Sequence, residues 1–166
     1  CLVALGYQLT SWLASLRHLF QHDHKPSHLP PISILKPVHG LDPSFYDALV
    51  SHATQDYPTF EILFGVSDPN DAAIPSIERL QREYPQLQVK LFRTAIQAPN
   101  GKVGTLTELA RHASYDLLLV NDSDIRVPEN YLRRVVAPLE NPAIGVVTCL
   151  YRATARQIEL NFKIEN

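Results

Sequence analysis

The sequence predicts an α/β domain built on a mostly parallel sheet, and three features of the chain support this. Short apolar runs alternate with longer segments in which apolar residues recur at helical spacing. Asp42 and Pro43 are a favoured N-cap residue and a favoured first helical residue, so a helix is expected from there. The run 117–120 has no polar alternation, which is typical of a strand buried on both faces. Strands that alternate with helices form parallel sheets.

The predicted elements follow one another along residues 32–149. Strands are predicted at 32–35, 60–66, 87–92, 117–120 and 144–149. One helix follows each of the first four strands; the third opens at Asn100, and the fourth covers 128–139. The residues expected to face the core are Phe45, Leu49, Val50 and Ala53 in the first helix, Ile74, Ile77, Leu80 and Tyr84 in the second, and Val103, Leu106, Ala110 and Ala113 in the third.

This order of elements has a geometric consequence for the loops. Right-handed crossovers wind successive parallel strands outward and then restart beside the first strand, which predicts a sheet of order 3-2-1-4. The crevice then lies between the first and fourth strands, at their carboxyl ends. The loops that meet there are 37–40 and 121–124, with 68–71 one strand away. Loops far apart in sequence are therefore expected to share one pocket.

Asp122 and Asp124 follow the fourth strand directly, with only Ser123 between them. Carboxylates in this spacing can turn toward one hard cation, and open carboxylate sites suit Mg²⁺ or Mn²⁺ shared with substrate phosphates. The alternative is an acidic turn that caps the helix after Pro128. The convergence of loops on the same crevice favours the functional interpretation.

The pocket lacks the common phosphate-binding motifs. No G-x-G-x-x-G follows the first strand and no G-x-x-x-x-G-K-[ST] is present. Phosphates would instead be neutralised by a metal on the acidic pair and by Lys102. A carboxylate at the end of the second strand can accept a hydrogen bond from a uracil imide or a ribose hydroxyl, and the backbone of 37–40 can cradle a flat base. Together these features predict a site for a nucleoside-diphosphate sugar.

Composition and length fit a single globular domain. The chain has 166 residues, 45% of them hydrophobic, and a formal net charge of -2. Neither disorder nor a nucleic-acid partner is indicated by these values. The two cysteines, Cys1 and Cys149, are too few and too far apart for a disulfide framework, which favours a reducing compartment.

The N-terminal part differs in composition from the rest. Residues 1–21 are rich in large apolar side chains, and we expect a partial transmembrane or membrane-associated helix there. Arg17, His18 and Lys25 near its C-terminal end would place that end in the cytosol. An amphipathic helix that lies on the membrane or packs on the domain is the alternative. Residues 22–31 are expected to form a juxtamembrane linker stiffened by prolines.

The histidines of this linker, His22, His24 and His28, invite a metal interpretation. No cysteine or carboxylate set with ligand spacing accompanies them, so a solvated linker is expected instead.

Short sequence blocks occur in a recognisable order, at 34–40, 55–58, 68–71, 100–103 and 121–127. They read I-L-K-P-V-H-G, Q-D-Y-P, D-P-N-D, N-G-K-V and N-D-S-D-I-R-V. In this order they resemble blocks of the ceramide glucosyltransferase-like glycosyltransferases of family 21, which is close to family 2. The family includes bacterial hopanoid-associated members. The resemblance covers Ile32 to about Arg152. It implies a GT-A, Rossmann-like fold, with 32–166 as an incomplete donor-binding half truncated on its C-terminal side.

The same resemblance implies an activity and a location. The reaction would be an inverting transfer of a hexose or N-acetylhexosamine from a UDP-sugar to a ceramide- or hopanoid-like lipid, with Mg²⁺ or Mn²⁺ as cofactor. The enzyme would be anchored in the membrane with its catalytic domain on the cytosolic face, and the metal would offset charge on the UDP leaving group.

Site residues are carried over by motif. Asp71 resembles the family's first essential aspartate, with Asp68 beside it. Asp122 resembles the second, and Asp124 completes a D-x-D pattern; these two residues would hold the metal. Lys102 matches the lysine of an N-x-K motif. The residues expected to bind the UDP-sugar are Pro37, Val38, His39, Gly40, Asp68, Asp71, Lys102 and Asp122.

Each of these residues also has a simpler interpretation. His39 is equally interpreted as a loop residue that shapes the backbone. Lys102 is alternatively a solvated residue in the first turn of a helix. Asp68 and Asp71 are well explained as turn and cap residues.

The chain departs from the family pattern in one respect. The family's third aspartate, the general base, and its later Q-x-x-R-W or R-x-x-R-W motif do not occur before Asn166. Because an inverting displacement needs such a base, no catalytic residue is expected in this fragment, which is predicted to bind donor without turnover. The alternatives are a sugar-nucleotide pyrophosphorylase-like enzyme and a non-catalytic membrane-anchored module that binds nucleotide sugars.

Overall fold

A computed structural model describes residues 2–19, 26–94 and 100–149. The strands are β1 (Ile32–Val38), β2 (Phe60–Val66), β3 (Gln88–Arg93) and β4 (Leu117–Val120). The helices are α1 (Leu2–Leu19), α2 (Phe45–Ala53), α3 (Ile74–Glu83), α4 (Gly101–Arg111) and α5 (Tyr131–Val136), and a 3₁₀ turn follows at Ala137–Glu140.

The four strands form one sheet of order β3-β2-β1-β4, and every pairing in it is parallel. Ile34 of β1 lies opposite Ile62 of β2 and Leu119 of β4, which fixes the register at the centre of the sheet. The predicted order 3-2-1-4 is therefore confirmed. It places the carboxyl ends of β1 and β4 side by side.

Alternate residues of the central strands point to opposite faces of the sheet. Ile34 packs in a large apolar cluster with residues of α2, α3 and α5, whereas Leu35 packs with Leu63 and with Leu109 of α4 on the other face. Both central strands are buried along almost their whole length. The helices thus cover both faces, as in other parallel sheets.

The start of α2 differs from the prediction. Asp42 is not the N-cap, because the helix begins at Phe45, and Ser44 occupies the cap position without a side-chain hydrogen bond. The amide of Phe45 donates to the carbonyl of Asp42 at 3.0 Å, so residues 42–45 close a turn before the helix. This turn leaves Asp42 exposed.

The prediction that β4 is buried on both faces is wrong. Leu117 and Leu119 pack against the large apolar cluster, but Leu118 and Val120 are 42% and 52% exposed. The predicted strand at 144–149 is also wrong, since these residues lie along β4 without forming a ladder. Within the described residues β4 is therefore an edge strand, and only one of its faces is covered.

The helices predicted after the third and fourth strands also differ in detail. Val103, expected to face inward, is 56% exposed, whereas Thr105 and Leu109 of α4 are buried. The last helix begins at Tyr131 rather than Pro128, because the Tyr131 amide donates to the Pro128 carbonyl at 3.0 Å and closes a turn first.

The N-terminal residues 2–19 are helical. None of the helices within the described ranges is long and apolar enough to cross a bilayer. The predicted domain boundaries remain predictions, and His22 and His24 of the proposed linker lie outside the described residues.

Candidate functional site

The acidic turn, residues 121–124, is attached to β1 by its backbone. The amide of Asn121 donates to the carbonyl of Leu35 at 3.2 Å, which extends the β1–β4 pairing by one bond. Lys36, which follows Leu35 in β1, contacts the turn with its side chain, because its Nζ donates to the backbone carbonyl of Asp122 at 2.8 Å. Two consecutive residues of the central strand therefore hold the turn at the rim of the sheet.

The turn lines an open cleft of about 390 Å³ at the carboxyl ends of β1 and β4. Its lining residues come from several loops and from the first turns of α4, and they are Pro37, Val38, His39, Asp42, Ser67, Gly101, Lys102, Thr105, Asp122, Ser123 and Asp124. The structure thus brings together most of the residues that the sequence predicted for the site. Gly40, Asp68 and Asp71 are not among the lining residues.

Asp71 braces the 37–40 loop, which supplies Pro37, Val38 and His39 to the lining. Its Oδ2 accepts a hydrogen bond from the Gly40 amide at 2.9 Å, and its Oδ1 accepts one from the Ala73 amide at 2.9 Å. Gly40 has a φ of +74°, a left-handed conformation that glycine adopts without strain. Asp68 is exposed and accepts from the Asn70 amide at 2.8 Å. Both carboxylates thus accept hydrogen bonds from backbone amides, whereas the N-cap position of α3 is occupied by Ala73.

Lys102 lies in the first turn of α4, above the acidic turn. The side chain of Asn100 caps this helix by accepting from the Val103 amide at 3.3 Å. Lys102 Nζ forms an ion pair with Asp122 Oδ1, and the two side chains are 54% and 43% exposed. The positively charged amine of Lys102 therefore contacts one of the two carboxylates of the acidic turn.

The position of α4 depends on a glycine in β2. A Cβ atom on Gly65 would lie 2.4 Å from Thr105 Cγ2 and 3.2 Å from Leu109 Cδ1. Real Cβ atoms do not approach other carbons so closely, so the helix can pack at this distance only on a glycine. Gly65 thereby sets how near Thr105 and Lys102 come to the cleft.

Lys36 was not predicted as a site residue, although it is fully buried beneath the acidic turn. Burial lowers the pKa of its amine to about 7, against the opposing effects of Asp124 and Asp122, whose charges raise it. The signal in the sequence was a lone lysine inside the apolar run 32–38. Lysine is almost never fully buried without a specific reason.

Among the other buried polar residues are His52 of α2 and Asn121 of the acidic turn. His52 is fully buried, and its pKa is lowered to about 3, mainly by burial and to a smaller extent by the charge of Lys36. The ring is therefore neutral. Its Nδ1 bonds to the Ala48 carbonyl at 3.0 Å. Asn121 is also buried, and its side-chain nitrogen donates to the Tyr131 hydroxyl at 3.3 Å. His52 Nε2 and Asn121 Oδ1 find no hydrogen-bond partner within the described residues.

The donor set of the cleft fits a divalent cation held by two carboxylates. Asp122 and Asp124 both line it and could supply two oxygen ligands, with the remaining positions left to water or to phosphates, as is usual for Mg²⁺. Within residues 2–19, 26–94 and 100–149 there is no group of three or more His, Cys, Asp or Glu side chains that could hold a metal ion.

Comparison with known proteins identifies a family. The profile of Glycosyl transferase family 21 matches residues 1–166. A ceramide glucosyltransferase of Candida albicans is 34% identical over 121 residues, which cover 65% of this chain and 22% of that protein. Ceramide glucosyltransferase 1 of Caenorhabditis elegans is 31% identical over 131 residues, which cover 78% of this chain and 28% of that protein. The chain thus spans roughly a quarter of the length of these relatives.

Solved structures confirm the fold. The mannosyltransferase PcManGT from Pyrobaculum calidifontis, in complex with GDP-Man and Mn²⁺, matches with a TM-score of 0.73 and 24% identity, over 89% of this chain and 44% of that one. TarS 1-349 of S. aureus in complex with UDP-GlcNAc matches with a TM-score of 0.54 and 20% identity, over 66% and 31%. The predicted GT-A fold is therefore confirmed.

Proposed function

The chain belongs to glycosyl transferase family 21, and we propose that it forms the donor-binding part of a hexosyltransferase that acts on a lipid acceptor. The donor is a UDP-sugar carrying a hexose or N-acetylhexosamine, and the transfer inverts the anomeric centre. The observation that supports this most directly is the convergence of the 37–40 loop, Lys102 and the acidic turn on one cleft.

Each part of the cleft has a place in donor binding. The backbone around Pro37, Val38 and His39 forms one wall, against which a uracil ring lies. Asp71 acts through the loop, since its bond to the Gly40 amide holds that wall in place. Lys102, which forms an ion pair with Asp122, turns to the diphosphate when the donor binds.

Asp122 and Asp124 would hold a Mg²⁺ or Mn²⁺ ion. When bound, the ion supplies electrostatic stabilisation of the negative charge that develops on the UDP leaving group. The Mn²⁺ in the complex of the Pyrobaculum mannosyltransferase is consistent with this choice of metals. We assign the role of general base toward the acceptor to none of the residues that line this cleft.

The acceptor class follows from the relatives. Their names give ceramide and, for the beta-monoglucosyldiacylglycerol synthase of Synechocystis sp., which is 34% identical over 94 residues, a diacylglycerol lipid. An acceptor of this kind resides in a bilayer, which is consistent with a membrane-associated protein whose donor site faces the cytosol. The family membership favours a transferase over the pyrophosphorylase-like alternative.

The metal role is tested by titrating the full-length protein with UDP-glucose and UDP-N-acetylglucosamine, with and without Mn²⁺. Asp124→Asn removes one ligand charge and should weaken Mn²⁺-dependent binding at least tenfold, which corresponds to about 1.4 kcal/mol. Asp116→Asn is the matched control, because Asp116 is exposed and precedes β4 at the opposite end of the strand. Equal binding by wild type and Asp124→Asn would exclude this aspartate as a metal ligand.

A further inference from the structure

Lys36 occupies a position where a lysine is costly. It is the fifth residue of β1, the strand between β2 and β4, and its side chain is fully buried. By strand alternation it shares a face with Ile34 and Val38, which belong to the large apolar cluster. An amine in such surroundings loses its hydration, so its retention requires a compensating interaction.

The compensating interaction is directed at the acidic turn. Nζ donates to the backbone carbonyl of Asp122 at 2.8 Å, and within the described part of the chain no carboxylate lies close enough to form a salt bridge with it. The charges of Asp124 and Asp122 nevertheless act on the amine. Lys36 therefore does not serve as one half of a buried ion pair. It fixes a peptide group between the two carboxylates.

That peptide group determines how the acidic pair is presented. The amide of Asn121 is bonded to Leu35, and the only other contact to the Asp122 carbonyl among the described residues is a long one from the Ile125 amide, at 3.5 Å. Without Lys36 the Asp122–Ser123 peptide would be held only by this long bond from the Ile125 amide and by the bond of the neighbouring Asn121 amide to Leu35. A rotation of this peptide would reorient the side chains of residues 122 and 124, which both line the cleft.

We infer that Lys36 is a positioning residue, whose buried amine holds the acidic turn so that Asp122 and Asp124 face one cation. The role is exercised through the backbone, and Lys36 is not among the residues that line the cleft. This inference rests on the proposed function, because the cation and the nucleotide are those of the donor site.

The test uses Lys36→Met in the full-length protein. Methionine is unbranched and apolar, so the variant should fold. The desolvation cost of the buried amine disappears and offsets the hydrogen bond lost by the Asp122 carbonyl, so the melting temperature should stay near that of wild type. In the ligand-free variant the amides of Asn121 and Ile125 should exchange with deuterium roughly three- to tenfold faster, the factor expected for one lost hydrogen bond. At saturating Mn²⁺ the affinity for UDP should fall by a similar factor.

Lys90→Met is the matched control. Lys90 lies on β3 of the same sheet, and its Nζ contacts the buried carboxylate of Glu61 at 2.8 Å, away from the cleft. Its loss should lower the melting temperature because Glu61 loses a partner, yet leave the exchange at residues 121–125 and the UDP affinity unchanged. The two variants are thus expected to show opposite patterns of stability and binding.

The outcomes separate the two claims. If Lys36→Met folds and its exchange and UDP affinity equal those of wild type, Lys36 is a core residue only. If both lysine variants lose UDP affinity alike, the effect is general destabilisation and the inference is overturned. If wild type itself binds no UDP with Mn²⁺, the proposed function fails, whereas the exchange rates still decide the role of Lys36. Should Lys36→Met not fold, Lys36→Gln applies the same exchange test, because its shorter side chain does not reach the Asp122 carbonyl.

Discussion

The substitution Gly65→Ala should destabilise the protein through one identifiable clash. The added Cβ would lie 2.4 Å from Thr105 Cγ2, more than an ångström inside ordinary van der Waals contact, and 3.2 Å from Leu109 Cδ1. Thr105 could turn its methyl group away only by giving up the hydrogen bond from its hydroxyl to the Gly101 carbonyl, which is 3.0 Å long. Either α4 moves or this bond breaks.

The size of the effect follows from these alternatives. Overpacking a filled core costs about 1–3 kcal/mol, and one lost hydrogen bond costs about 0.5–1.5 kcal/mol. We therefore expect the free energy of unfolding of Gly65→Ala to fall by about 1–3 kcal/mol, measured by equilibrium urea denaturation. If α4 moves outward, Lys102 moves with it, and the affinity for UDP with Mn²⁺ should fall as well.

Two further variants make this reasoning refutable. Gly101→Ala, at the start of the same helix, meets nothing within 4 Å and should change stability by less than about 0.5 kcal/mol. Thr105→Ser removes the offending methyl group and keeps the hydroxyl, so the double variant Gly65→Ala/Thr105→Ser should recover much of the loss. A Gly65→Ala protein as stable as wild type, or a double variant with no recovery, would show that α4 is not held at this distance by Gly65.

Two other perturbations have directions fixed by the structure. Burial raises the pKa of Glu61, but hydrogen bonds from Lys90, Ser33 and Ser114 outweigh it and hold this pKa below its ordinary value. The stabilisation is thus fully present above the ordinary pKa of glutamate and lost as pH falls through the lowered one. Glu61→Gln should be about 1–3 kcal/mol less stable near neutral pH and show a flatter acid limb in urea denaturation against pH; parallel limbs would contradict this. Lys102→Met removes the ion pair with Asp122 Oδ1, so Mn²⁺ alone should bind roughly two- to fivefold more tightly in a titration. UDP should bind the Mn²⁺-loaded variant more weakly than it binds wild type. If both affinities rise or both fall, Lys102 does not exchange between the carboxylate and the diphosphate.

The order of the strands in the sheet could be predicted because the right-handed crossover rule allows few arrangements of the βα units. Apolar runs and helical periodicity define the βα units, and the right-handed crossover restricts how they wind. Once the order 3-2-1-4 is given, the loops after β1 and β4 must be neighbours, and the structure places Val38 and Asp122 in one cleft. The predicted lining of the site thus followed from topology together with the motifs.

Apart from the strand predicted at 144–149 and the starts of two helices, the errors concern which face of an element is buried. The sequence predicts Val103 on the inward face of α4, whereas the structure exposes Val103 and buries Thr105, which packs closely on Gly65 of β2. The exposed face of β4 could not be predicted from an apolar run alone, because burial depends on which strand or helix covers it. A local pattern contains no information on such a distant neighbour.

By itself the sequence determined the class of fold, the order of the strands and the position of Asp122 and Asp124 at the end of β4, because each of these follows from local patterns and chain connectivity. Only the tertiary structure decided that Asp71 braces a loop, that Lys102 contacts Asp122 and that Lys36 lies beneath the acidic turn. These roles depend on where a side chain ends, several ångströms from its own backbone and beside residues up to 86 positions away in the chain. Such contacts form only when the strands are assembled.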